Sequence, residues 1–369
     1  MFRLDPSSAR GIALAVLAAL TFAAAAPGGA AAVPAPEPVT WAALGDSYTS
    51  GVFVGDPSPA LGSADRDGCD RTTGAYPNLV AAALAADPPR GRAVRLTDVS
   101  CAGATIGQIA AARQTPISPV RAPEGGWPAV AEQVVRAGLD ARTDVVTIGV
   151  GGNSLSFGGI FTSCLLAGTG RPDGATPCRD AYEAGGPPLD PEPIQDKYDR
   201  VAREYAAMLR AVRQKAPGAE IVTVGYPAIF PSDAAGCDRQ DTSELAADIE
   251  GLGRISATHG DIAWLHDVHR HLNGIVRAVT ERAGGTYVDT ATGSAGHDVC
   301  RPRAVKWVEG VCGEAAAYWP DAVAVGPLTL TCDGGSRATI VHPNAAGHAA
   351  LAARVEATLR SVLTRPHRA

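Results

Sequence analysis

Four short motifs place a nucleophile, a base and two hydrogen-bond donors in an order that suits acyl transfer. Ser47 ends the triplet Gly-Asp-Ser, and His342 begins His-Pro-Asn near the C-terminus. A serine hydroxyl attacks a carbonyl well only when a base accepts its proton, and histidine commonly does so. Gly103, in Ser-Cys-Ala-Gly, offers a backbone N–H, and Asn153, in Gly-Gly-Asn, offers a side-chain amide. Both are donor types that stabilise a developing oxyanion, as is the backbone N–H of Ser47 itself.

Each of these residues also has a simpler structural explanation. Ser47 is of a type that caps a following helix, and Gly103 and Asn153 are of types that turns favour. Pro343 restricts His342 to an extended conformation, so the histidine belongs to a rigid turn. The chemical interpretation therefore depends on whether the fold brings the four motifs together.

Hydrophobic patterns predict that strands and helices alternate around these motifs. We expect strands at 39–44, 93–99, 144–150, 220–225 and 286–289, and helices at 75–86, 127–139, 194–215, 262–282 and 344–363. Such alternation favours crossover units and a parallel sheet. Ligands of these sheets bind beyond the carboxyl ends of the strands, and Ser47, Gly103 and Asn153 all fall at such ends.

Long segments without a regular pattern contain most of the cysteines. The segments are 51–73, 164–191, 231–260 and 291–337, and the eight cysteines are Cys69, Cys101, Cys164, Cys178, Cys237, Cys300, Cys312 and Cys332. An even number of cysteines in an exported chain favours disulfides that tie such loops down. The spacings contain no C-x-x-C, which argues against a zinc or redox pair, and four bridges allow 105 connectivities.

The first 32 residues have the pattern of a secretory signal peptide. Arg3 and Arg10 precede an apolar run at 11–26, and small residues follow. The run is shorter than the roughly 20 residues that span a bilayer, so we expect cleavage and not a stable membrane anchor. We therefore predict a signal peptide at 1–32, a short linker at 33–38, one domain at 39–369, and a secreted, extracellular, monomeric protein.

Composition excludes several kinds of partner. The net charge is −6, and no block of Lys and Arg is present that would neutralise phosphates, so we expect no nucleic-acid partner. His266, His269 and His271 lie close together in the predicted helix at 262–282, without a carboxylate at a convincing spacing. We interpret these histidines as a solvated helix face and predict no metal and no cofactor.

Taken together, the four blocks resemble those of the SGNH (GDSL) hydrolases, over essentially the whole chain from residue 45 to 348. The sequence looks closest to the secreted actinobacterial lipase/esterase branch. The phrases that carry this likeness are Ser-Cys-Ala-Gly-Ala at 100–104, Tyr-Pro at 226–227, Ala-Gly-His-Asp at 295–298 and His-Pro-Asn-Ala-Ala-Gly-His at 342–348. The resemblance implies a flavodoxin-like three-layer α/β/α sandwich with a central parallel sheet.

The resemblance also implies roles for individual residues. Ser47 would be the nucleophile and His342 its base, with Ser47, Gly103 and Asn153 forming the oxyanion hole. The implied disulfides are Cys69–Cys101, Cys164–Cys178 and Cys237–Cys300, which leaves Cys312–Cys332 as an addition.

The sequence departs from the family pattern at two positions. Many members carry Asp three residues before the histidine, where this chain has Thr339; members of the secreted branch use a main-chain carbonyl there, which implies a Ser–His dyad oriented by the Thr339 carbonyl. Asp333 remains an alternative partner for the histidine. Ser154 stands where the third block usually has Asp, so a contact that supports the loop is in question.

The favoured function is a secreted serine ester hydrolase, a lipase or esterase, that forms an acyl-enzyme on an acyl-ester or lipid substrate. One alternative is a carbohydrate acetylesterase. Another is a secreted binding protein that keeps the fold without turnover, because a fold alone does not fix a function.

Overall fold

A parallel sheet of five strands forms the centre of the fold in residues 36–364, the part of the chain that this computed structural model describes. The strands of this part are, in chain order, β1 Val39–Gly45, β2 Val94–Asp98, β3 Val145–Gly149, β4 Glu220–Val224, β5 Ala246–Ile249, β6 Gly253–Ser256, β7 Thr286–Val288, β8 Cys312–Gly313, β9 Ala322–Val325, β10 Leu328–Thr331 and β11 Arg337–Ala338. The central sheet has the order β2-β1-β3-β4-β7, and every neighbouring pair in it is parallel.

Helices cover both faces of this sheet. They are α1 Ser47–Ser50, α2 Tyr76–Ala86, α3 Ile106–Ala110, α4 Gln133–Arg136, α5 Gly152–Leu155, α6 Phe157–Gly168, α7 Pro177–Glu183, α8 Ile194–Lys215, α9 His259–Arg282, α10 Ala291–Ser294 and α11 Ala345–Leu363. Side chains of β1 alternate between the faces: Trp41 and Ala43 pack with α2 and α11, whereas Ala42 and Leu44 pack with α3, α8 and α9. The predicted three-layer α/β/α sandwich is confirmed.

The predicted helix at 127–139 is wrong for most of its length. Only Gln133–Arg136 is helical. Trp127 instead packs against Gly68 and donates its indole N–H to the Ser118 carbonyl. The backbone of Val130 exchanges two hydrogen bonds with Gln114, at 2.7 and 3.0 Å. Tertiary contacts of the backbone and of one aromatic ring thus override a helical apolar spacing.

Two of the segments that lack a sequence pattern form a small antiparallel sheet. Its order is β6-β5-β10-β9, built from 231–260 and 291–337, and β8 pairs with β11 beside it. Its strands have four residues each, and β8 and β11 have two each, too few for an alternating pattern to stand out. Helices α6 and α7 were also missed.

All four expected cysteine pairs lie at disulfide bonding distance. These pairs are Cys69–Cys101, Cys164–Cys178, Cys237–Cys300 and Cys312–Cys332. The third pair ties 231–260 to 291–337, and the fourth closes a loop within 291–337. The bridges therefore hold the irregular segments to the sheet and to one another.

The predicted signal peptide at 1–32, and residues 33–35 of the predicted linker, lie outside the described residues. Within residues 36–364, no helix combines the length and the apolar character that crossing a membrane requires.

We predict that all eight cysteines of the exported protein are oxidised. The geometry of the four pairs leaves no free thiol among the described residues. Thiol titration of the denatured, unreduced chain should therefore detect none, with the reduced chain as the control that reports eight. Two or more free thiols before reduction would contradict the pairing.

Candidate active site

Ser47 is the first residue of the short helix α1, directly after β1. Asp46, and not Ser47, caps this helix, since its carboxylate accepts the Tyr48 N–H at 3.0 Å. The simpler explanation of Ser47 as an N-cap is therefore wrong. Gly45 permits the sharp turn, because a Cβ atom there would lie 2.2 Å from Thr49 Oγ1.

His342 contacts Ser47 from the other end of the chain. Its Nε2 lies 2.7 Å from Ser47 Oγ, and its Nδ1 lies 2.9 Å from the Thr339 carbonyl and 2.7 Å from the Ile340 carbonyl. Carbonyl oxygens only accept, so Nδ1 carries the proton and Nε2 accepts the serine O–H. Burial lowers the pKa of His342 below its usual value, while the two carbonyls oppose that shift. The imidazole is thus neutral, with Nε2 directed at the hydroxyl.

The turn before His342 is strained. Ile340 has φ +43° and Val341 has φ +53°, a conformation that β-branched residues rarely adopt. The N–H of Ile340 donates to the Val311 carbonyl at 3.0 Å, and that of Val341 donates to Gly310 at 2.8 Å. These bonds hold the turn in the form that directs two carbonyls at the imidazole. The Ile340 carbonyl is a contact that sequence reasoning missed.

Asp333 lies on the surface and takes no part in this arrangement. Its side chain is exposed, and within residues 36–364 it makes no hydrogen bond to His342. Thr339 is buried, and its hydroxyl donates to the Gly310 carbonyl at 2.9 Å. The side chain of Thr339 therefore supports the turn, and its carbonyl contacts the base.

A buried carboxyl group links the serine turn to the third motif. Tyr226 donates its hydroxyl to Asp46 at 2.5 Å and accepts the Gly152 N–H at 2.8 Å. Burial raises the pKa of Asp46 to about 7, against the opposing hydrogen bonds from Tyr226 and Tyr48. This chain of contacts fixes the distance between the Ser47 turn and the Asn153 turn.

The three expected oxyanion donors are present at the carboxyl ends of β1, β2 and β3. The backbone N–H groups of Ser47 and Gly103 donate to no acceptor within residues 36–364. Asn153 donates one amide hydrogen to the Ala104 carbonyl at 3.0 Å, which leaves its second hydrogen for another acceptor. Gly103 has φ +78°, a backbone conformation that residues with a side chain rarely adopt, so a substitution there would be strained.

Comparison with known proteins assigns this chain to a family. Residues 43–350 match the sequence model of the GDSL-like lipase/acylhydrolase family. Lipase 2 of Streptomyces coelicolor is 31% identical over 283 residues, which cover 76% of this chain and 79% of that relative. A lipase of Streptomyces rimosus is 27% identical over 74% of this chain and 90% of its own length.

The chain belongs to the GDSL-like lipase/acylhydrolase family. It is a carboxylic-ester hydrolase, and the resemblance to the actinobacterial branch is confirmed. The crystal structure of a phospholipase A1 from Streptomyces albidoflavus is similar in fold, with a TM-score of 0.55 and 21% identity over 88% of this chain and 99% of that one.

Ser154, where the sequence departs from the family pattern, makes a buried hydrogen bond. The Ser154 hydroxyl accepts the Ile106 N–H at 2.8 Å, at a buried position. A hydroxyl thus joins the third block to the helix that follows the second block. Ser154 thus makes a contact that supports this loop.

The interpretation of the histidine cluster as a solvated face is wrong for His269. This residue is 4% exposed and lies between the rings of Phe157 and Tyr226, at centroid distances of 6.0 and 6.2 Å. Burial lowers its pKa to about 3, so the ring is neutral. The sequence could have indicated this burial, because the apolar residues at 265 and 272 lie one turn to either side and place position 269 near the buried stripe of α9.

An apolar cavity of about 170 Å³ adjoins Ser47 and His342. Its apolar walls come from Phe157, Ile229, Leu272, Ile340 and Val341, and His269 also borders it. The walls thus belong to α6, α9, the segment after β4 and the strained turn, so the turn that orients His342 also shapes the cavity.

Within this family site, we predict that Asp333→Asn retains most of the esterase activity, because its carboxylate lies away from His342. Loss of a true triad aspartate costs about 10⁴ in kcat. Thr339→Val is the matched variant, since it keeps the carbonyl that contacts Nδ1 and should also stay active. A thousandfold loss of kcat in Asp333→Asn, with the circular-dichroism spectrum preserved, would contradict a dyad.

Proposed function

We propose that this chain is a secreted lipase/esterase that cleaves carboxylic esters through an acyl-enzyme on Ser47, with a Ser47–His342 dyad. The observation that carries the proposal is the 2.7 Å contact between Ser47 Oγ and His342 Nε2. It joins the two reactive groups in the relative orientation that nucleophilic catalysis needs.

In the first half of the reaction, Ser47 Oγ bonds to the ester carbonyl carbon while its proton passes to His342 Nε2. The carbonyl oxygen becomes an oxyanion, which the N–H groups of Ser47 and Gly103 and the amide of Asn153 stabilise. The bond to the alkoxy oxygen then breaks, and His342 returns the proton to the leaving alcohol. The acyl group remains on Ser47.

In the second half, a water molecule attacks the acyl carbon and gives its proton to His342. The Ser47 Oγ–carbon bond breaks, and Ser47 regains the proton as the carboxylic acid leaves. Throughout both halves the Nδ1 proton stays directed at the carbonyls of Thr339 and Ile340, which keep the imidazole in one tautomer. Their dipoles stabilise the transient imidazolium in place of a carboxylate.

The cavity beside Ser47 supports an acyl chain of medium length. Its volume of about 170 Å³ slightly exceeds a cavity of about 150 Å³ that holds benzene, so it has room for roughly six carbons. An acetyl group would fill a small part of it, and few polar atoms are available to orient a sugar there. This favours lipid-like acyl esters over acetylated carbohydrates.

Secretion rests on the leader pattern at 1–32 together with the four cysteine pairs. A chain with so many disulfides is typical of an oxidising compartment. One relative in the family, from Streptomyces rimosus, is described as an extracellular lipase.

We predict that Ser47→Ala and His342→Ala each remove ester hydrolysis. When residues act as one unit, replacing any one of them removes nearly all of the activity. Each variant should therefore lose several orders of magnitude in kcat, with the melting temperature little changed. His271→Ala is a suitable control, because this histidine is exposed on α9 and packs on Tyr198 away from Ser47. Activity within tenfold of the parent protein in either site variant would refute the dyad.

We also predict that kcat/KM for nitrophenyl esters rises from acetate to about hexanoate. The cavity gains apolar contact with each methylene until it is full, at about 0.8 kcal/mol for each buried CH₂. Leu272→Trp, which fills the cavity from α9, should shift the preference towards acetate. A sharp fall beyond acetate in the parent protein would favour the acetylesterase alternative.

A further inference from the structure

A loop that we call the strap, residues 114–130, lies against the turn that carries Gly103. Reciprocal backbone hydrogen bonds between Gln114 and Val130 close it. Inside the strap, the Ser118 hydroxyl donates to Asp70 at 2.6 Å. Ile117 lies on Gly103 although its side chain is 68% exposed. The strap is thus anchored at several points and reaches the proposed oxyanion donor.

Gln114 is the strap residue that enters the turn itself. Its side-chain amide Nε2 donates to the Ala102 carbonyl at 2.7 Å, and both residues are buried. The Ala102 carbonyl belongs to the same peptide group as the Gly103 N–H. Gln114 therefore holds the peptide that would donate to the oxyanion, from the side opposite to that donor.

Through the geometry of the peptide group, this contact also controls the direction of the Gly103 N–H. A trans peptide is planar, and its C=O and N–H point in opposite directions, so fixing the oxygen fixes the direction of the N–H. Gly103 has φ +78°, and glycine restrains neighbouring peptide planes less than any other residue. Hydrogen bonding at the carbonyl also polarises the peptide and makes its N–H a better donor.

Gln114 combines one favourable hydrogen bond with one unsatisfied polar atom. Its Oε1 is buried and has no hydrogen-bond partner within residues 36–364. A buried acceptor without a partner is unfavourable, but an apolar side chain of similar size would leave the Ala102 carbonyl without a hydrogen-bond partner within the described residues. The amide N–H thus does something here that an apolar side chain could not.

We propose that Gln114 is a positioning residue for the oxyanion hole, holding the Ala102–Gly103 peptide so that the Gly103 N–H faces the reacting carbonyl. This rests on the proposed function, in which Gly103 is an oxyanion donor. Gln114 touches neither the substrate nor Ser47. Its effect belongs to the transition state, because the oxygen gains most of its charge there.

The test measures kcat and KM separately for Gln114→Leu on a nitrophenyl hexanoate substrate. Misplacing a reacting group by about 1 Å can cost on the order of 10²-fold, so kcat should fall about 10- to 100-fold with KM within twofold. Ser118→Ala is the matched control, since it releases the strap from Asp70 but leaves the Gln114 amide in place. It should keep kcat within twofold.

A second variant separates positioning from packing. In Gln114→Glu the side chain keeps its shape, but the carboxylate cannot donate to the Ala102 carbonyl, whereas the protonated carboxyl group can. Its kcat relative to the parent protein should therefore be low at neutral pH and rise as the pH falls through the pKa of the new group. Gln114→Leu should show no such rise.

A trifluoromethyl ketone that bears a hexyl chain probes the oxyanion directly, because Ser47 adds to it and its oxygen becomes anionic. Its affinity for Gln114→Leu should fall by the same factor as kcat/KM. In a Ser47→Ala background, the Kd of the uncleaved ester should be the same with Gln114 or Leu at this position. If Gln114→Leu raises KM and leaves kcat unchanged, or if Ser118→Ala lowers kcat as much as Gln114→Leu does, the positioning role is wrong.

Asn153→Ala distinguishes a failure of the Gln114 proposal from a failure of the proposed oxyanion hole. Loss of one oxyanion donor costs about 10²–10³ in kcat. If Asn153→Ala loses that much while both Gln114 variants keep kcat within twofold, the positioning role is wrong and the oxyanion hole stands. If all three variants keep kcat, the oxyanion hole itself is assigned to the wrong residues.

Discussion

The hydrogen bond between Ser47 and His342 is the constraint on which the rest of the site depends. It joins the end of β1 to the turn before α11, 295 residues apart in the chain. The parallel sheet brings these two ends to one edge, but it does not orient the imidazole. That orientation comes from a strained turn, which the backbone of Gly310 and Val311 holds in place. The long segment 291–337 is therefore part of the support for the base, and the disulfide pair Cys312–Cys332 lies within it.

The electrostatics of the site differ on the two sides of the proposed dyad. Behind His342, two carbonyl dipoles contact Nδ1, so its proton is directed without a full negative charge. Behind the nucleophile, Asp46 is buried, and burial raises its pKa to about 7. Tyr226 donates to this carboxyl group and accepts from the third motif. Neutral and near-neutral groups of this kind are easier to bury than a charged triad.

Much of the fold followed from patterns that lie close together in the sequence. The five central strands, α8 and α11 were predicted nearly to the residue, because apolar runs of β-branched residues and long amphipathic repeats are local signals. The prediction of a helix at 127–139 was wrong because contacts of Trp127 and Val130 with distant residues override the apolar spacing there. The antiparallel sheet was missed because strands of four residues hold too little pattern. The prediction placed His269 on a solvated helix face because two other histidines, His266 and His271, lie close to it in the sequence.

By itself, the sequence predicted which residues would bear the chemistry and determined their order, because residue type and the position after a strand are both local properties. Only the tertiary structure decided how those residues are held. The Ile340 carbonyl contacts the base because two β-branched residues adopt positive φ angles, a conformation that local preference opposes. Gln114 reaches the Ala102 carbonyl because the strap folds over a turn twelve residues earlier in the chain. Contacts of this kind depend on how many elements pack against one another, so no local sequence pattern predicts them.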